Sequence, residues 1–419
     1  MEIINSLPKA KDYNFYRTLT LKLLSPMKLG KLEITLPEGD TFTLGEGDEV
    51  IADIKINNNV FFKKCVLSGD VGFGEAYIDG DWDTTSITNV IKWMILNIEN
   101  APTISGSKRK FDPANFMKFF NRTYHVLNKN NKEGSQKNIE YHYDLSNDFY
   151  KLWLDPTMTY SCGFYKTNEE TLEEAQINKY ENLCQNLELS EKDHVLEIGS
   201  GWGGFACHAA KKYGCKITTI TISKEQFDYA QKRIKDEGLD HLVEIRFQDY
   251  REVTGKFDKI VSIEMLEAVG HEFLKPYFKK CHELLKPQGL LSVQVITSPD
   301  SRYDEFRKGV DFIQKHIFPG SLLPSIGEMN KVINNISDMH MLKMIDMGPM
   351  YAKTLHTWFK NFNQKIEEIK LLNFDESFIR KWRFYLNYCE AAFWMRNISV
   401  VQLTYTRPNN TGISNPWSY

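Results

Sequence analysis

Apolar runs alternate with helical stretches over the second half of the chain. Short runs rich in β-branched residues predict strands, and the segments between them carry apolar residues at helical spacing. This alternation is typical of a parallel sheet with helices on both faces. The predicted strands are residues 193–198, 217–222, 243–247, 257–263 and 289–296, with one more at 397–406, and the predicted helices are residues 203–213, 224–237 and 273–285.

The first part of the chain has a different pattern. Strand-like runs alternate there with turn signals such as Pro37-Glu38-Gly39-Asp40. A helical spacing of apolar residues follows them. We therefore predict a small α+β domain, with strands at residues 31–35, 50–56 and 60–67 and a helix at residues 87–98.

The length of the chain, 419 residues, is more than one compact domain usually holds. We predict a first domain over residues 1–127, a polar linker over 128–138 and a second domain over 139–419. The second domain includes residues 301–395, which are largely helical in pattern and too long for an ordinary connection. We interpret this segment as a helical cover over a substrate site.

Composition narrows the class of protein. The net charge of −3 and the pI near 6.4 argue against a nucleic-acid partner. The mean hydropathy is −0.42, and no run approaches the ~20 apolar residues of a membrane span. No secretory signal is visible, and the seven cysteines are scattered without a C-x-x-C pair. We expect a cytoplasmic protein with reduced thiols and no metal site.

A glycine-rich turn follows the first predicted strand of the second domain. Gly199, Gly201 and Gly204 have the G-x-G-x-x-G spacing of nucleotide-binding folds. Glycines let the backbone approach a ligand closely, and the next helix points free N–H groups at the site. Both a nicotinamide dinucleotide and S-adenosylmethionine fit such a turn. A turn that only packs a helix onto a strand would rarely need so many glycines.

The position of the nearest acid favours S-adenosylmethionine. A dinucleotide site needs a carboxylate at the end of the second strand, and residues 216–223 carry none. Glu197 instead lies on the first strand, where it can meet the cationic methionine end of the cofactor or order the loop. We therefore predict an α/β fold of the class I methyltransferase type, a doubly wound sheet with a helical lid insertion.

Several further motifs lie along nearly the whole chain, at residues 72–82, 141–150, 158–163, 264–271, 316–320 and 385–387. Together, and in this order, they resemble the cyclopropane fatty acid synthases, the family that includes the mycolic acid cyclopropane synthases. Gln294 and Ala268 are similar to the plant-type members. The resemblance implies that the first domain is a lipid-binding-like module.

The resemblance implies a reaction. The methyl of S-adenosylmethionine would be transferred to a cis double bond of a phospholipid acyl chain, and loss of a proton would close a cyclopropane ring. The family's base is a bound bicarbonate, and Cys162, Glu267, Ile296 and Tyr385 match its site. The family's histidine is Gln294 here, which can donate a hydrogen bond but cannot take up a proton. A ring, a methylene branch and a methyl branch therefore stay open as products.

The resemblance also nominates the residues that hold the cofactor. They come from the segment before the glycine turn, from the turn, and from the ends of the next two strands. The nominated residues are Tyr143, Tyr160, Ser161, Glu197, Gly199, Gly201, Thr221, Ile222 and Gln226, with Gln248, Asp249 and Tyr250 near the adenine.

Other functions remain open at this stage. Small-molecule N-methyltransferases of the coclaurine type are similar to this family in the catalytic half. A lipid-binding protein without activity is a third hypothesis, against which the intact glycine turn, Cys162 and Glu267 argue. A phospholipid substrate implies transient contact with a membrane surface, peripheral to the cytoplasm, and relatives suggest a homodimer.

Overall fold

The computed structural model describes residues 15–98 and 145–414, and the chain divides into two compact units. The strands are β1 (Lys31–Thr35), β2 (Thr41–Leu44), β3 (Ile51–Ile56), β4 (Trp82–Asp83), β5 (His194–Ile198), β6 (Lys216–Thr221), β7 (Val243–Phe247), β8 (Phe257–Ile263), β9 (Leu285–Thr297), β10 (His340–Asp346) and β11 (Ser399–Thr406).

Helices precede, separate and follow these strands. In chain order they are α1 (Phe15–Leu24), α2 (Val60–Ile78), α3 (Ile87–Leu96), α4 (Asn147–Lys151), α5 (Leu172–Asn186), α6 (Gly204–Tyr213), α7 (Lys224–Asp236), α8 (His271–Leu284), α9 (Tyr303–Phe306), α10 (Phe312–His316), α11 (Ile326–Ile336), α12 (Gly348–Gln364), α13 (Ile366–Leu371) and α14 (Glu376–Trp394).

The second unit is built on a seven-stranded sheet. The strand order is β10-β11-β9-β8-β5-β6-β7. The five strands from β5 to β9 are parallel to one another, and β11 is antiparallel to both of its neighbours, β9 and β10. The central strands are buried over most of their length on both faces, which explains why Val, Ile and Leu predominate in β5 and β8. The structure confirms the predicted α/β fold with a mostly parallel sheet.

The strand order predicts a ligand-binding crevice at the carboxyl ends of the central strands. From β5 the chain runs outward through β6 and β7, then crosses to β8 and β9 on the other side of β5. Such a reversal opens a crevice outside the carboxyl ends of the strands. The glycine turn follows β5, and the Glu264–Glu267 stretch follows β8. Both candidate regions therefore lie at the reversal point.

The first unit contains a four-stranded sheet of order β2-β1-β3-β4 with helices packed on it. The strand predicted at residues 60–67 is wrong, because these residues begin helix α2. A short apolar run fits a buried helix as well as a strand. Phe61 and Phe62 are buried at its start, and Gly74 lies so close to the Phe312 ring that a Cβ there would overlap it.

The segment predicted as one helical cover, residues 301–395, is divided between the units and contains strand β10. Residues 308–319 and 366–397 belong to the first unit, together with the described N-terminal residues, whereas 320–365 belong to the second. Long-range polar contacts explain the division. Lys315 and His316 bind Glu75 at 2.7 and 3.0 Å, and Arg380 binds Asp83 at 2.9 Å.

The linker predicted at residues 128–138 lies outside the described residues. Among the helices of the described part, none has the length and apolar character needed to cross a membrane.

Candidate active site

The glycine turn adopts backbone angles that other residues rarely take. Gly199, Gly201 and Gly203 have φ of 94°, 49° and 83°. A Cβ built on Gly201 would meet nothing within 4 Å, so the turn is open on that side. Gly204 differs, because a Cβ there would overlap the hydroxyl of Tyr180. Gly201 thus leaves room for a ligand, and Gly204 allows close packing of α6.

Glu197 lies on β5 beneath this turn. It is 1% exposed, and its carboxyl accepts a hydrogen bond from the Thr219 hydroxyl at 2.6 Å. Burial raises the pKa of Glu197 to about 8. The side chain therefore links β5 to β6 next to the turn, and its role toward the cofactor or the loop stays a prediction.

The residues predicted to hold the ribose and adenine gather at the ends of β6 and β7. The Thr221 hydroxyl bonds the Gln226 side chain at 3.1 Å, and the Gln248 N–H donates to the Thr221 carbonyl at 3.0 Å. Ile222 is half-buried beside them. The neutral side chains of Thr221 and Gln226, predicted to lie at the ribose, are therefore hydrogen-bonded to each other at the end of β6.

Asp249 and Tyr250 follow β7 but are already engaged by the protein. Both carboxylate oxygens of Asp249 accept hydrogen bonds from the Arg251 guanidinium at 2.8 Å. The Tyr250 ring packs against Tyr277 at 5.3 Å between centroids, and burial raises its pKa to about 12. Asp249 thus pairs with an internal cation in this structure.

An aromatic cluster surrounds Tyr160, one of the predicted cofactor residues. Its ring centroid lies 5.5 Å from both Tyr150 and Trp153 and 5.2 Å from Trp358. The neighbouring Ser161 hydroxyl accepts a hydrogen bond from Lys179 at 2.7 Å. Tyr143, predicted to act with them, lies outside the described residues.

Lys179 is a site residue that the sequence analysis missed. It lies on α5 with 0% exposure, and burial lowers its pKa to about 8, an effect opposed by the charges of Glu264 and Asp155. The signal for it was available: Ala175, Lys179 and Leu183 share one helical face, and the first and third are buried apolar residues. A lysine on an apolar face requires a partner.

Glu264, directly after β8, is a second residue that was missed. Its carboxylate accepts hydrogen bonds from the backbone N–H of Cys162 at 2.9 Å, from the Gln294 amide at 2.7 Å and from the Tyr351 hydroxyl at 2.7 Å. Burial raises the pKa of Glu264, and these three donors act in the opposite direction. Through these hydrogen bonds, Glu264 connects its own segment to three others.

Glu267 lies one turn further, in the 3-10 helix Leu266–Ala268. One carboxyl oxygen accepts the Ile296 N–H at 2.5 Å, and the other is buried without a hydrogen-bond partner among the described residues. Burial, followed by repulsion from Glu264, raises the pKa of Glu267 to about 8. A carboxyl in this setting is favoured in its protonated form.

Comparison with known proteins decides the family. The sequence model described as mycolic acid cyclopropane synthetase matches residues 128–403. The chain belongs to this family. It is a methyltransferase that uses S-adenosylmethionine, as the family and the fold together show.

Relatives and solved structures agree with this assignment. The chain is 35% identical to tuberculostearic acid methyltransferase UfaA1 of Mycobacterium tuberculosis, over 81% of this chain and 79% of that protein. It is 35% identical to the cyclopropane-fatty-acyl-phospholipid synthase of Escherichia coli, over 86% of this chain and 90% of that protein. The crystal structure of mycolic acid cyclopropane synthase CmaA1 with SAH and CTAB is 30% identical and matches with a TM-score of 0.61, covering 65% of this chain and 98% of that one.

Three of the groups predicted to bind bicarbonate form hydrogen bonds with other protein groups in this structure. The Cys162 N–H is taken by Glu264, and the Ile296 N–H is taken by Glu267. The Gln294 amide donates to Glu264 and to the Cys162 carbonyl, and its oxygen accepts from Gln402. Gln294 thus donates to the carboxylate of a protein residue, and its role toward a bound bicarbonate stays a prediction.

The other two predicted residues of that site have different settings. The Cys162 thiol is fully buried, and burial raises its pKa well above the usual range, which favours the protonated thiol. Tyr385 belongs to the first unit, where its ring packs between Phe318 at 6.1 Å and Trp382 at 5.4 Å. Its role at an anion site stays a prediction.

The raised pKa values of Glu197 and Glu267 predict that stability falls as the pH rises. Both groups have a pKa of about 8 in the folded protein against an ordinary value of 4.5. Between these values the folded state binds more protons than the unfolded chain, so the free energy of unfolding decreases with pH by up to about 1.4 kcal/mol per unit for each group. Urea unfolding is expected at a lower concentration at about pH 7.5 than at about pH 5.5.

Glu267→Gln tests this assignment, because the neutral amide cannot take part in the titration. The variant is expected to lose part of the pH dependence, whereas Glu283→Gln on the exposed face of α8 should keep all of it. An unchanged slope in the Glu267 variant would contradict the raised pKa.

Proposed function

We propose that this enzyme transfers the methyl group of S-adenosylmethionine to the cis double bond of an unsaturated phospholipid acyl chain and forms a cyclopropane ring. The observation that carries the proposal is the pair of carboxyl groups, Glu264 and Glu267, that follow β8 beside the cofactor turn. Methyl transfer to an amine that is already neutral would need no base of this kind. Two relatives that are 35% identical over most of the chain carry a fatty acid or a fatty acyl phospholipid in their names, which supports a lipid substrate.

Positioning is the first task of the site. S-adenosylmethionine supplies an electrophilic methyl group, and an alkene is a weak nucleophile. Correct alignment can supply about 7–11 kcal/mol of the barrier. Gly201 leaves backbone room after β5, and Thr221 and Gln226 provide neutral polar groups at the end of β6. These residues would orient the cofactor.

Stabilisation of the positive charge is the second task. Addition of a methyl group to an alkene leaves a carbocation on the acyl chain. Aromatic faces stabilise a nearby cation by about 0.5–2 kcal/mol each. Tyr160 lies among the rings of Tyr150, Trp153 and Trp358, which form an aromatic wall of the second unit. We propose that this wall faces the reacting carbon atoms.

The fate of the cation distinguishes the proposed product from its alternative. If the new methyl group loses a proton at once, its electron pair closes a ring. If a hydride first shifts to the cationic carbon from the carbon that carries the new methyl group, loss of the methyl proton leaves a methylene branch. Reduction of that branch would give a methyl branch. The similarity to tuberculostearic acid methyltransferase UfaA1 keeps branching as the second candidate.

We also retain three wider proposals. A phospholipid substrate would require transient contact with a membrane surface, so we propose a cytoplasmic enzyme that associates peripherally with membranes. A bound bicarbonate, predicted from the family resemblance, stays a prediction, because the Cys162, Ile296 and Gln294 donors are bonded to Glu264 and Glu267 in the described residues. A homodimer stays a prediction.

The test is isotopic labelling in cells that make no cyclopropane fatty acids. Cells expressing the protein, and matched cells with an empty vector, are grown with methyl-deuterated methionine, and their fatty acid methyl esters are analysed by mass spectrometry. We expect unsaturated acids to gain one carbon that carries two deuterium atoms. Mild hydrogenation then separates the products, because a methylene branch takes up hydrogen and a ring resists it.

The opposite result is equally clear. If no labelled lipid forms while the purified protein binds S-adenosylhomocysteine, the lipid proposal is wrong, and amines of the coclaurine type become the substrates to test.

A further inference from the structure

The carboxylate of Glu264 occupies a set of donors that would otherwise hold an anion. Three hydrogen bonds reach it: one from a backbone N–H, one from an amide and one from a phenol, all between 2.7 and 2.9 Å. They come from Cys162, Gln294 and Tyr351, which lie 102, 30 and 87 residues away in the sequence. Such a convergence of donors on one carboxylate favours its ionised form.

The backbone of Glu264 points to a functional constraint. Its φ is 48°, in the left-handed region, although it is not a glycine. A non-glycine residue there costs about 1–3 kcal/mol and persists only when the surroundings hold it in place. The Glu264 N–H donates to the Gln294 carbonyl at 2.7 Å, which fixes this turn against β9. A strained glutamate thus stands where a glycine would be more stable.

The neighbours of Glu264 lie beside the residues predicted to hold the cofactor. The next residue, Met265, has its side chain 3.4 Å from the position of a Cβ on Gly199, the first glycine of the cofactor turn. The donor Cys162 directly follows Tyr160 and Ser161, the predicted cofactor segment. Glu264 itself is not fully buried. Its neighbour therefore contacts the cofactor turn, and its donor adjoins the cofactor segment.

We propose that Glu264 is the base of the reaction and that its carboxylate takes the place of an exogenous bicarbonate. The inference rests on the proposed function, because a base is needed only if an alkene is methylated. It is a property of this chain's own residues and requires no further anion.

The proposed reaction consists of methyl transfer followed by proton loss and ring closure. The alkene electron pair forms the new C–C bond, the C–S bond breaks with its pair on sulfur, and the product sulfide is S-adenosylhomocysteine. A C–H bond of the transferred methyl then breaks, and its electron pair closes the ring on the cationic carbon. The proton goes to a carboxylate oxygen of Glu264, which returns it to solvent before the next turnover.

The neighbouring groups divide the roles between the two glutamates. Glu264 has three donors, whereas Glu267 has one described donor and one bare oxygen. The different surroundings favour charge on Glu264 and a proton on Glu267. Lys179 adds a buried positive charge that attracts Glu264. Glu264 is therefore the group ready to accept a proton.

The decisive experiment measures turnover with and without bicarbonate. Wild-type protein is assayed with unsaturated phospholipid vesicles in buffer freed of carbon dioxide, and again after bicarbonate is added. We expect the two rates to agree within twofold. Glu264→Gly should turn over slowly without bicarbonate and recover at least tenfold with it, because the vacated donors of Cys162, Gln294 and Tyr351 can then bind the ion. The left-handed backbone also suits glycine, so this variant should fold.

Glu264→Gln is the matched control. Its amide fills the same space but cannot accept the proton, so turnover should fall below a tenth of the wild-type rate, and bicarbonate should not restore it. Its affinity for S-adenosylhomocysteine should stay within twofold. A glutamine variant with wild-type turnover, or a wild-type enzyme that depends on bicarbonate, would overturn the inference.

A binding measurement separates this inference from the proposed function. Bicarbonate should raise the melting temperature of the Glu264→Gly protein but not that of the wild type. This result does not require a lipid product. If wild type makes no labelled lipid yet shows this difference in melting, the proposed function fails while the carboxylate is still shown to occupy the anion's place. Equal stabilisation of both proteins would overturn the inference itself.

Discussion

A Gly199→Val variant is expected to lose about 100-fold or more of its affinity for S-adenosylmethionine while it keeps its fold. Gly199 has φ of 94°, and a Cβ there would lie 3.4 Å from the Met265 side chain. A β-branched residue disfavours this backbone angle, and about 3 kcal/mol of strain or displacement corresponds to about 100-fold in binding. Moving the turn would also disturb the N–H groups of Gly199 and Ser200, which donate to the Ile220 carbonyl.

Titration calorimetry with S-adenosylhomocysteine measures this effect, and Gly214→Val provides its control. Gly214 also has a left-handed backbone, with φ of 67°, but it ends α6 at the opposite end from the turn. Its substitution should lower stability and leave the affinity unchanged. Equal losses of affinity in both variants would mean that general strain, rather than the turn itself, controls binding.

A Lys179→Met variant is expected to lower the free energy of unfolding by on the order of 3 kcal/mol. Lys179 is fully buried, donates to the Ser161 hydroxyl at 2.7 Å and lies 4.5 Å from the Tyr180 ring centroid. Removing one member of a buried charge network leaves the remaining charge uncompensated, which costs about 3–5 kcal/mol unless that group changes its protonation. The attracted carboxylates include Glu264 and Asp155.

Urea unfolding followed by tryptophan fluorescence measures the loss, and Lys212→Met is the control. Lys212 pairs with Glu181 at 2.8 Å, but its side chain is 54% exposed. An exposed pair contributes about 0–1 kcal/mol, so this substitution should have a small effect. The loss in the Lys179 variant should also be smaller at about pH 5.5, where the carboxyl groups bind protons more readily. Similar losses at both lysines would contradict a buried charge network.

Local patterns in the sequence were sufficient for most of the catalytic unit. The strands predicted at 217–222, 243–247 and 257–263 agree with β6, β7 and β8 within one residue. Each signal lay within a single segment, because β-branched and aromatic residues favour strands locally. The strand predicted at residues 60–67 was wrong, because a short apolar run of that length fits a helix as well as a strand.

The division of residues 301–395 between two units could not be predicted in this way. Lys315 and His316 contact Glu75, 240 and 241 residues earlier in the chain. Nothing in the local pattern of either segment specifies such a partner. The helical character of the stretch was therefore predictable, and its membership of two compact units was not.

The sequence by itself determined the class of fold, the glycine turn and the position of acidic residues after β8, because strand periodicity and turn chemistry are local properties. The tertiary structure decided which acid is ready to act. Glu264 and Glu267 are three residues apart, yet one meets the donors of Cys162, Gln294 and Tyr351, while the other keeps a bare oxygen. A carboxyl group's charge depends on burial and on donors from distant segments, and these are set only when the chain folds.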